Sequence, residues 1–503
     1  MSKVAKNSLA LYLRMFFAML ISLYSSRIII NALGDVNYGV YVVVGGVIAM
    51  LSFLNTTMSG AISRFINYDI GKGVLSAVNK RVSSAFMLQL GIAIIFVLAS
   101  ETIGLWFVNT HLNIPHDRMV AANWLYQISI LISILSLVQV PYTSLVLSYE
   151  KMGFYAIVEI IHVVLKLACA FAIYLCGGDQ LIMYGGLLLV VQLAVFILYT
   201  FGCFKYMPSL KIRFHRDFSH IKPMLVFSGW DLYGNVAYTG MLQGATILIN
   251  IFFGPIVNAA GGITMTVSSQ VAWFGRNVTM AYRPQIINNY AQGNIHTMNK
   301  LMSDASKYGL MFLLLVTVPL YIEVDYVLHL WLGDVPMFTS TFCRIMLIAG
   351  CINVVNAVIT TSIHATGRIA KLSFYAGSLY ILTVPITYVL YKLGLPAMYG
   401  YISMLVIHVM VMGVNCIILK SLANSFNIKE FLCNAIGKCL LASFIPALLV
   451  ILIHYNMQVG FVRLLVVVIA FVIAYIFSVY YIVLDADMRS KLINILLQKI
   501  KNS

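Results

Sequence analysis

The feature that most constrains this chain is a succession of apolar stretches, each long enough to span a membrane as a helix. An α-helix needs roughly 20 apolar residues to cross the hydrocarbon core of a bilayer. The strands of a membrane β-barrel are only about 10 residues long and alternate in polarity, which these stretches do not. The sequence therefore predicts an all-α integral membrane protein with about 14 transmembrane helices, at 8–32, 38–66, 82–108, 119–148, 153–176, 180–204, 223–253, 257–283, 305–324, 338–365, 370–391, 396–419, 432–454 and 460–484.

The composition points the same way, since 61% of the 503 residues are hydrophobic and only 10% are charged. A soluble domain has too little interior to bury that much apolar surface. The first stretch follows Lys3 and Lys6, as a signal peptide would, but it is too long, it contains Arg14 and Arg27, and it lacks a small-residue cleavage site. We predict that it is retained as the first helix.

The chain has a net charge of +16, and its basic residues are distributed in agreement with the predicted topology. Basic residues concentrate in the connectors that share a side with the two termini, whereas the connectors of the other side contain only Arg118 and Lys392. Membrane proteins keep such basic connectors in the cytoplasm. The pattern predicts cytoplasmic termini, and it accounts for the positive charge without a nucleic-acid partner.

A repeated segment divides the chain into two halves. Residues 60–85 and 280–305 are both basic connectors between apolar runs, and the pairs Asn79-Lys80 and Asn299-Lys300 lie 220 positions apart. An arginine precedes each connector: Arg64 in the first copy and Arg283 in the second.

The spans around the two copies repeat as well. Glu101 and Glu323 both lie near the outer end of the third span of their half, and each precedes a Leu-Trp pair. Parallel repeats of this kind place a substrate path between two halves that rock against each other. We predict a first lobe of six helices, a basic cytoplasmic linker, a second lobe of six helices, and two further helices with a cytoplasmic tail, at 1–204, 205–222, 223–420 and 421–503 respectively.

Sequence motifs of enzymes and cofactor sites are missing. The eight cysteines are scattered without a CxxC pair, and we find neither a nucleotide-binding glycine loop nor a cluster with metal-ligand spacing. We therefore expect a transporter without a cofactor. A membrane glycosyltransferase or polymerase is the competing class, and the short outer connectors argue against it.

Basic residues inside predicted spans are the first candidate site residues, because a charge in the hydrocarbon is costly and is usually functional. Each of them either reaches the membrane interface or faces a cavity. Arg276 and Arg283 are seven residues apart and share one helix face, which favours a cavity. Arginine binds phosphate through two parallel hydrogen bonds, so a cavity of this kind would favour an anionic substrate. The candidates for this cavity are Arg14, Arg27, Arg64, Lys166, Arg276 and Arg283.

A second set of candidates concerns ion coupling. Glu159 and His162 share a face with Lys166, and the three form either a self-neutralising group or a proton-linked site. Asp231, with Asn235 one turn away, either neutralises an arginine or binds a coupling cation. Arg344 and Arg463 begin their spans at the outer face, where we expect them to be interface anchors.

The opening of the chain is similar to a known family. The stretch NSLALYLRMFF, the LG and YGVY after the first span, and the SRF that ends the second resemble bacterial polysaccharide flippases of the multidrug/oligosaccharidyl-lipid/polysaccharide (MOP) exporter superfamily. The layout of six, six and two helices matches that superfamily over the whole chain. The resemblance implies a two-lobed transporter with a cationic cavity.

The resemblance also implies a function. It would be the translocation of undecaprenyl-diphosphate-linked oligosaccharides across the bacterial inner membrane by alternating access, for surface polysaccharide synthesis. Arginines of the first, second and eighth helices contact the diphosphate in relatives, and five candidates lie in those helices here. Coupling to Na⁺ or H⁺ occurs in the superfamily, and a polysaccharide polymerase or glycosyltransferases are the implied partners of a monomeric flippase. The alternatives are an ion-coupled drug exporter of the MATE type and a flippase for peptidoglycan lipid precursors.

Overall fold

A computed structural model describes residues 53–110, 114–173, 178–207 and 221–483, together with single positions at 14, 17, 21, 25, 28, 29, 32, 33, 37, 40, 41, 44 and 489. In this part of the chain the regular secondary structure consists of helices, which are joined by short turns. The helices of the first half are α1 Phe53–Gly71, α2 Leu75–Ala99, α3 Leu105–Thr110, α4 Met119–Ser148, α5 Met152–Ala172 and α6 Gln180–Tyr206. The remaining helices are α7 Ile221–Ala291, α8 Ile295–Leu332, α9 Thr339–Thr366, α10 Ala370–Lys392, α11 Met398–Leu422, α12 Ile428–Phe431, α13 Lys438–Asn456 and α14 Phe461–Ser478.

Eleven stretches of the described helices are long and apolar enough to cross a membrane. They match eleven of the fourteen predicted spans. The first predicted span lies almost wholly outside the described residues. The second span is described mainly from Phe53 onward, as part of α1, and the eighth lies in the second part of α7.

The boundary predicted between the seventh and eighth spans falls inside α7. Gly254 has a φ of 80° and a ψ of −176°, which interrupts the helix at that point. A positive φ is accessible to glycine at little cost. The two spans are therefore the segments of α7 before and after Gly254.

The chain divides into two compact units. Unit 1 comprises Met1–Asn235 and Ile287–Gly293, and unit 2 comprises Val236–Ile286 and Asn294–Ser503. In unit 1, α4 packs against α1, α2 and α6, and α5 packs against α6. A π-helical turn at Ser100–Gly104 joins α2 to α3, and the buried Tyr126 hydroxyl donates to the Ser100 carbonyl at 2.8 Å.

In unit 2, α9 packs against α8 and α11, and α10 packs against α11. The centre of this packing includes Phe342 and Tyr401, whose ring centroids are 4.3 Å apart. The last two long helices, α13 and α14, pack against each other and against α8. They are therefore attached to the second half through α8.

The two repeated segments meet in unit 1. A Cβ atom added to Gly71, at the end of α1, would lie 2.6 Å from the Asn288 carbonyl oxygen and 2.7 Å from the Ala291 Cβ near the end of α7. Two helix ends approach this closely only where one of them has no side chain. The glycine thus allows the end of the first repeat copy to contact the second copy.

We expect Gly71→Ala to destabilise the protein by about 1–3 kcal/mol, because the neighbouring backbone must move to admit the methyl group. Thermal unfolding in detergent measures the loss. Gly91→Ala is the matched control, since a Cβ at that position in α2 would meet no atom within 4 Å. Equal stability of the two variants would contradict the close approach.

Candidate functional site

The second segment of α7 presents a polar stripe where a membrane helix would normally be apolar. Its exposed positions recur every three or four residues, which places them along one face. They are Gly262, Thr266, Ser269, Gln270, Trp273 and Arg276. A face of this composition is disfavoured against lipid, so it indicates a polar cavity. By contrast, the exposed positions of α5 include Ile157, Val164 and Phe171, which form an apolar face suited to lipid.

A cavity of about 350 Å³ lies beside this stripe, wholly within unit 2. We call it the Arg276 cavity. Its walls are both segments of α7 together with α9, which contributes Met346, Gly350, Asn353 and Ala357 at helical spacing. Arg276 is the single charged residue in the lining, and the other polar residues there are Tyr238, Ser268, Ser269, Thr279, Asn353 and Asn356.

The electrostatics of this cavity favour an anion. Arg276 is exposed, and its guanidinium carbon lies 5.8 Å from the centre of the Trp273 ring. A ring beneath the guanidinium holds it by a cation–π contact and leaves its N–H donors available to a ligand. Since no carboxylate lines the cavity, nothing in the lining would repel a phosphate.

Arg283 shares the helix face of Arg276 but does not line the cavity, and it is half-buried. Arg64 is buried in unit 1, with its guanidinium carbon 4.5 Å from the Phe65 ring centre, 5.1 Å from that of Tyr68 and 5.8 Å from that of Phe227. The role of both arginines in binding a substrate stays a prediction.

The charged face of α5 forms a cluster within unit 1. The Tyr199 hydroxyl donates to Glu159 Oε1 at 2.8 Å, and Arg14 Nη1 donates to the Tyr155 hydroxyl at 3.5 Å. The Arg14 guanidinium also lies 5.4 Å from the centre of the Tyr155 ring. Glu159 thus has a partner on α6 that the spacing along α5 did not indicate.

Lys166 is exposed, and it lies nine residues after Ile157, which is roughly 180° around the helix. Its side chain therefore lies opposite the apolar face of α5, and His162 is half-buried on the same side as Lys166. The Asp231 carboxylate accepts a hydrogen bond from the Asn235 amide at 3.3 Å. Whether these groups couple an ion stays a prediction, and Arg27 lies outside the described residues.

A buried ion cluster near Glu323 was missed from the sequence. Glu323 is 1% exposed and interrupts α8, with a φ of −96° and a ψ of 15°. Its carboxylate accepts from Arg463 Nη2 at 2.8 Å and lies 2.7 Å from His454 Nδ1. The expectation that Arg463 is an interface anchor was wrong, because the side chain is buried against this carboxylate on another helix.

Arg344 also has a partner on α8, since its Nη2 donates to Asp325 at 2.6 Å.

The sequence repeat had already marked the position of Glu323, because an acidic residue occupies the equivalent place in the first half. Glu101, the counterpart of Glu323, lies in the π-helical turn and accepts from the Gln127 amide at 3.2 Å. In both halves the acid marks a local irregularity in the helix.

Within the described parts of the chain, no three His, Cys, Asp or Glu side chains are grouped so that they could hold a metal ion. The cysteines that the structure describes are free thiols.

The fold is similar to that of solved transporters. A MATE protein in the bent conformation aligns with a TM-score of 0.72 at 11% identity, covering 84% of this chain and 95% of that one. An outward-facing multidrug resistance MATE family transporter of the MOP superfamily aligns with 0.69 at 12% identity, covering 84% and 96%. A MOP superfamily transporter from Pyrococcus furiosus, described as having a binding pocket of reverse polarity, aligns with 0.70 at 12% identity, covering 84% and 96%.

Sequence comparison adds no closer relative, because no protein-family model matches and no curated protein matches either. The chain therefore has the fold of MATE transporters of the MOP superfamily, as the sequence predicted. That fold is an all-α, multi-pass membrane architecture, and the solved proteins that share it are transporters.

Proposed function

We propose that the protein is a flippase that moves undecaprenyl-diphosphate-linked oligosaccharides across the bacterial inner membrane for surface polysaccharide synthesis. The observation that carries this proposal is the polar stripe on α7, which ends in an exposed arginine and borders a cavity without a carboxylate. An exporter of lipophilic cations would use carboxylates to bind its substrate. A lining with one guanidinium and neutral hydrogen-bonding groups suits a phosphorylated headgroup.

The proposed mechanism is alternating access, with cytoplasmic termini as the positions of the basic connectors suggest. Arg276 would bind the diphosphate of the headgroup in the Arg276 cavity. The polyprenyl chain would stay in the lipid while the headgroup crosses. The Pyrococcus furiosus transporter supports the proposal indirectly, since its pocket is described as reversed in polarity on the same fold.

An ion-coupled MATE exporter of small molecules is the second candidate. It is favoured by the solved multidrug transporter with this fold and by the pairing of Asp231 with Asn235. That function predicts that a cationic substrate binds near Asp231 and that Arg276 contributes little.

Ligand-induced stabilisation tests which headgroup the protein binds. A ligand at 100 times its Kd stabilises the folded protein by about 2.7 kcal/mol. We expect undecaprenyl diphosphate to raise the Tm of the protein in detergent, and undecaprenol, which has the same tail without the phosphates, to leave it unchanged. Equal shifts with the two lipids, or a shift only with a cationic drug, would overturn the proposal.

A further inference from the structure

A second cavity of about 350 Å³ lies within unit 2 and shares no lining residue with the Arg276 cavity. We call it the Lys300 cavity. One wall is the beginning of α8, which contributes His296, Lys300, Ser303 and Lys307 at helical spacing. The other wall consists of the turn before α12, α12 itself and the π-helical turn that leads into α13. The proposed transport site does not account for this cavity.

The lining of the Lys300 cavity has an excess of positive charge. It contains three lysines and two carboxylates: Lys300, Lys307, Lys438, Asp304 and Glu430. Lys307 is 6% exposed, and its Nζ lies 3.4 Å from an Asp304 carboxylate oxygen. Three lysines against two carboxylates leave one positive charge when the histidine of the lining is neutral. A ligand with a single negative charge, such as a phosphodiester, would balance it, and lysine is a common phosphate ligand.

The two walls of the cavity are held together by the protein itself. The Asn299 amide of α8 donates to Ser425 Oγ of the opposite wall at 3.1 Å. Next to the cavity, Cys439 Sγ of α13 donates to the Lys307 carbonyl at 3.3 Å. The site is therefore formed before a ligand binds, which lowers the entropic cost of binding. The amides and hydroxyls of the lining can also pair with the hydroxyl groups of a ligand.

The cavity lies where two membrane spans begin. The spans predicted from the sequence start at 305 and 432, and the lining residues run from 296 to 307 on one wall and from 425 to 438 on the other. These are the depths of lipid headgroups. The basic connector before 305 belongs to the side that the charge distribution predicts to be cytoplasmic. Basic pockets between helices on that side of a membrane bind the headgroups of anionic lipids.

An exposed apolar stripe continues from the cavity along α13. Lys438, at the start of this helix, is half-buried in the cavity wall. Leu441, Ile445 and Leu452 follow it on the same helix face, and all three are exposed. A polar cavity that is followed by an apolar stripe matches a ligand with a polar head and an apolar chain. A soluble phosphate ester would leave the stripe unused.

We propose that the Lys300 cavity binds the headgroup of an anionic glycerophospholipid with one phosphodiester, of the phosphatidylglycerol type. The phosphodiester pairs with Lys300 and Lys438, one from each wall, and an acyl chain lies along the stripe on α13. The lipid is a structural ligand and not the transported substrate. By joining α8 to α13 it stabilises the attachment of the last two helices.

The test measures lipid binding to the delipidated protein in detergent, from the rise in Tm on titration. Three ligands are compared: phosphatidylglycerol, phosphatidylcholine with the same acyl chains, and water-soluble glycerophosphoglycerol. We expect only phosphatidylglycerol to raise the Tm of the wild type. Lys300→Gln should weaken its binding about fivefold, and Lys300→Gln with Lys438→Gln about thirtyfold, because each basic residue near a membrane surface contributes to this extent.

The matched control is Lys371→Gln with Lys429→Gln. Both lysines are exposed and neither lines the cavity, so this variant loses the same charge and should bind phosphatidylglycerol as the wild type does. Equal loss of affinity in the two double variants would show a general charge effect and refute the site.

The comparison of ligands gives two further results that would overturn the proposal. An equal rise in Tm with phosphatidylcholine would show that the headgroup is not recognised. An equal rise with glycerophosphoglycerol would show that the ligand is a soluble phosphate ester and not a lipid. If the double variant at the cavity does not fold, Lys300→Gln decides alone, since it changes one exposed side chain. Unchanged affinity in that variant would refute the site.

Discussion

The free energy of unfolding of the Glu323→Ala variant is expected to be about 3–5 kcal/mol lower than that of the wild type. The substitution removes the carboxylate that pairs with Arg463 at 2.8 Å, and it leaves a buried guanidinium without its counter-ion. It also removes the acceptor next to His454. Because these partners lie on α13 and α14, we expect both helices to detach from α8 more readily.

Denaturant titration of the purified protein in mild detergent measures this loss. Glu101→Ala is the matched control, since Glu101 occupies the corresponding place in the first half and pairs with the neutral Gln127. Loss of a single neutral hydrogen bond should cost only about 1 kcal/mol. If the two variants are destabilised equally, the ion cluster does not anchor the last two helices.

The second large effect concerns transport. We expect Arg276→Ala to slow lipid flipping by about ten- to a hundredfold, since a hydrogen bond to a charged group contributes about 1.5–3 kcal/mol. Arg276→Lys should retain part of the rate, because lysine keeps the charge but cannot bind phosphate through two parallel N–H groups. The rate of appearance of labelled lipid-linked oligosaccharide on the outer face of reconstituted vesicles measures the effect.

Arg368→Ala serves as the control for net charge. Arg368 is exposed in the turn between α9 and α10, and it does not line the Arg276 cavity. The control variant should flip lipid at the wild-type rate. If both variants lose the same fraction of activity, the loss reflects overall charge and not a site at Arg276.

Much of the fold was predictable because it depends on local sequence. The length of an apolar run determines whether a helix can cross a membrane, and eleven of the described spans agree with the predicted windows. The break at Gly254 was also visible, as glycine followed by proline between two apolar runs. The polar residues of α7 recur at helical spacing, so the exposed stripe that ends in Arg276 was readable as a pattern.

The environment of each charge was less predictable, because it depends on residues far away in the chain. Phe227 covers part of Arg64. Glu323 pairs with Arg463, which lies 140 positions later in the sequence. No periodicity within one helix reveals such a partner. Arg463 was misread for this reason: its place at the start of a span suggested the interface, while its side chain is buried against α8.

The most direct test of the central claim measures two substrates in the same proteoliposomes. Wild-type protein is reconstituted into vesicles that contain labelled undecaprenyl-diphosphate-linked oligosaccharide, and a fluorescent lipophilic cation is added to the same preparation. We predict protein-dependent flipping of the lipid that Arg276→Ala slows, and no protein-dependent transport of the cation. Transport of the cation at the same rate by wild type and Arg276→Ala, without flipping of the lipid, would contradict the account.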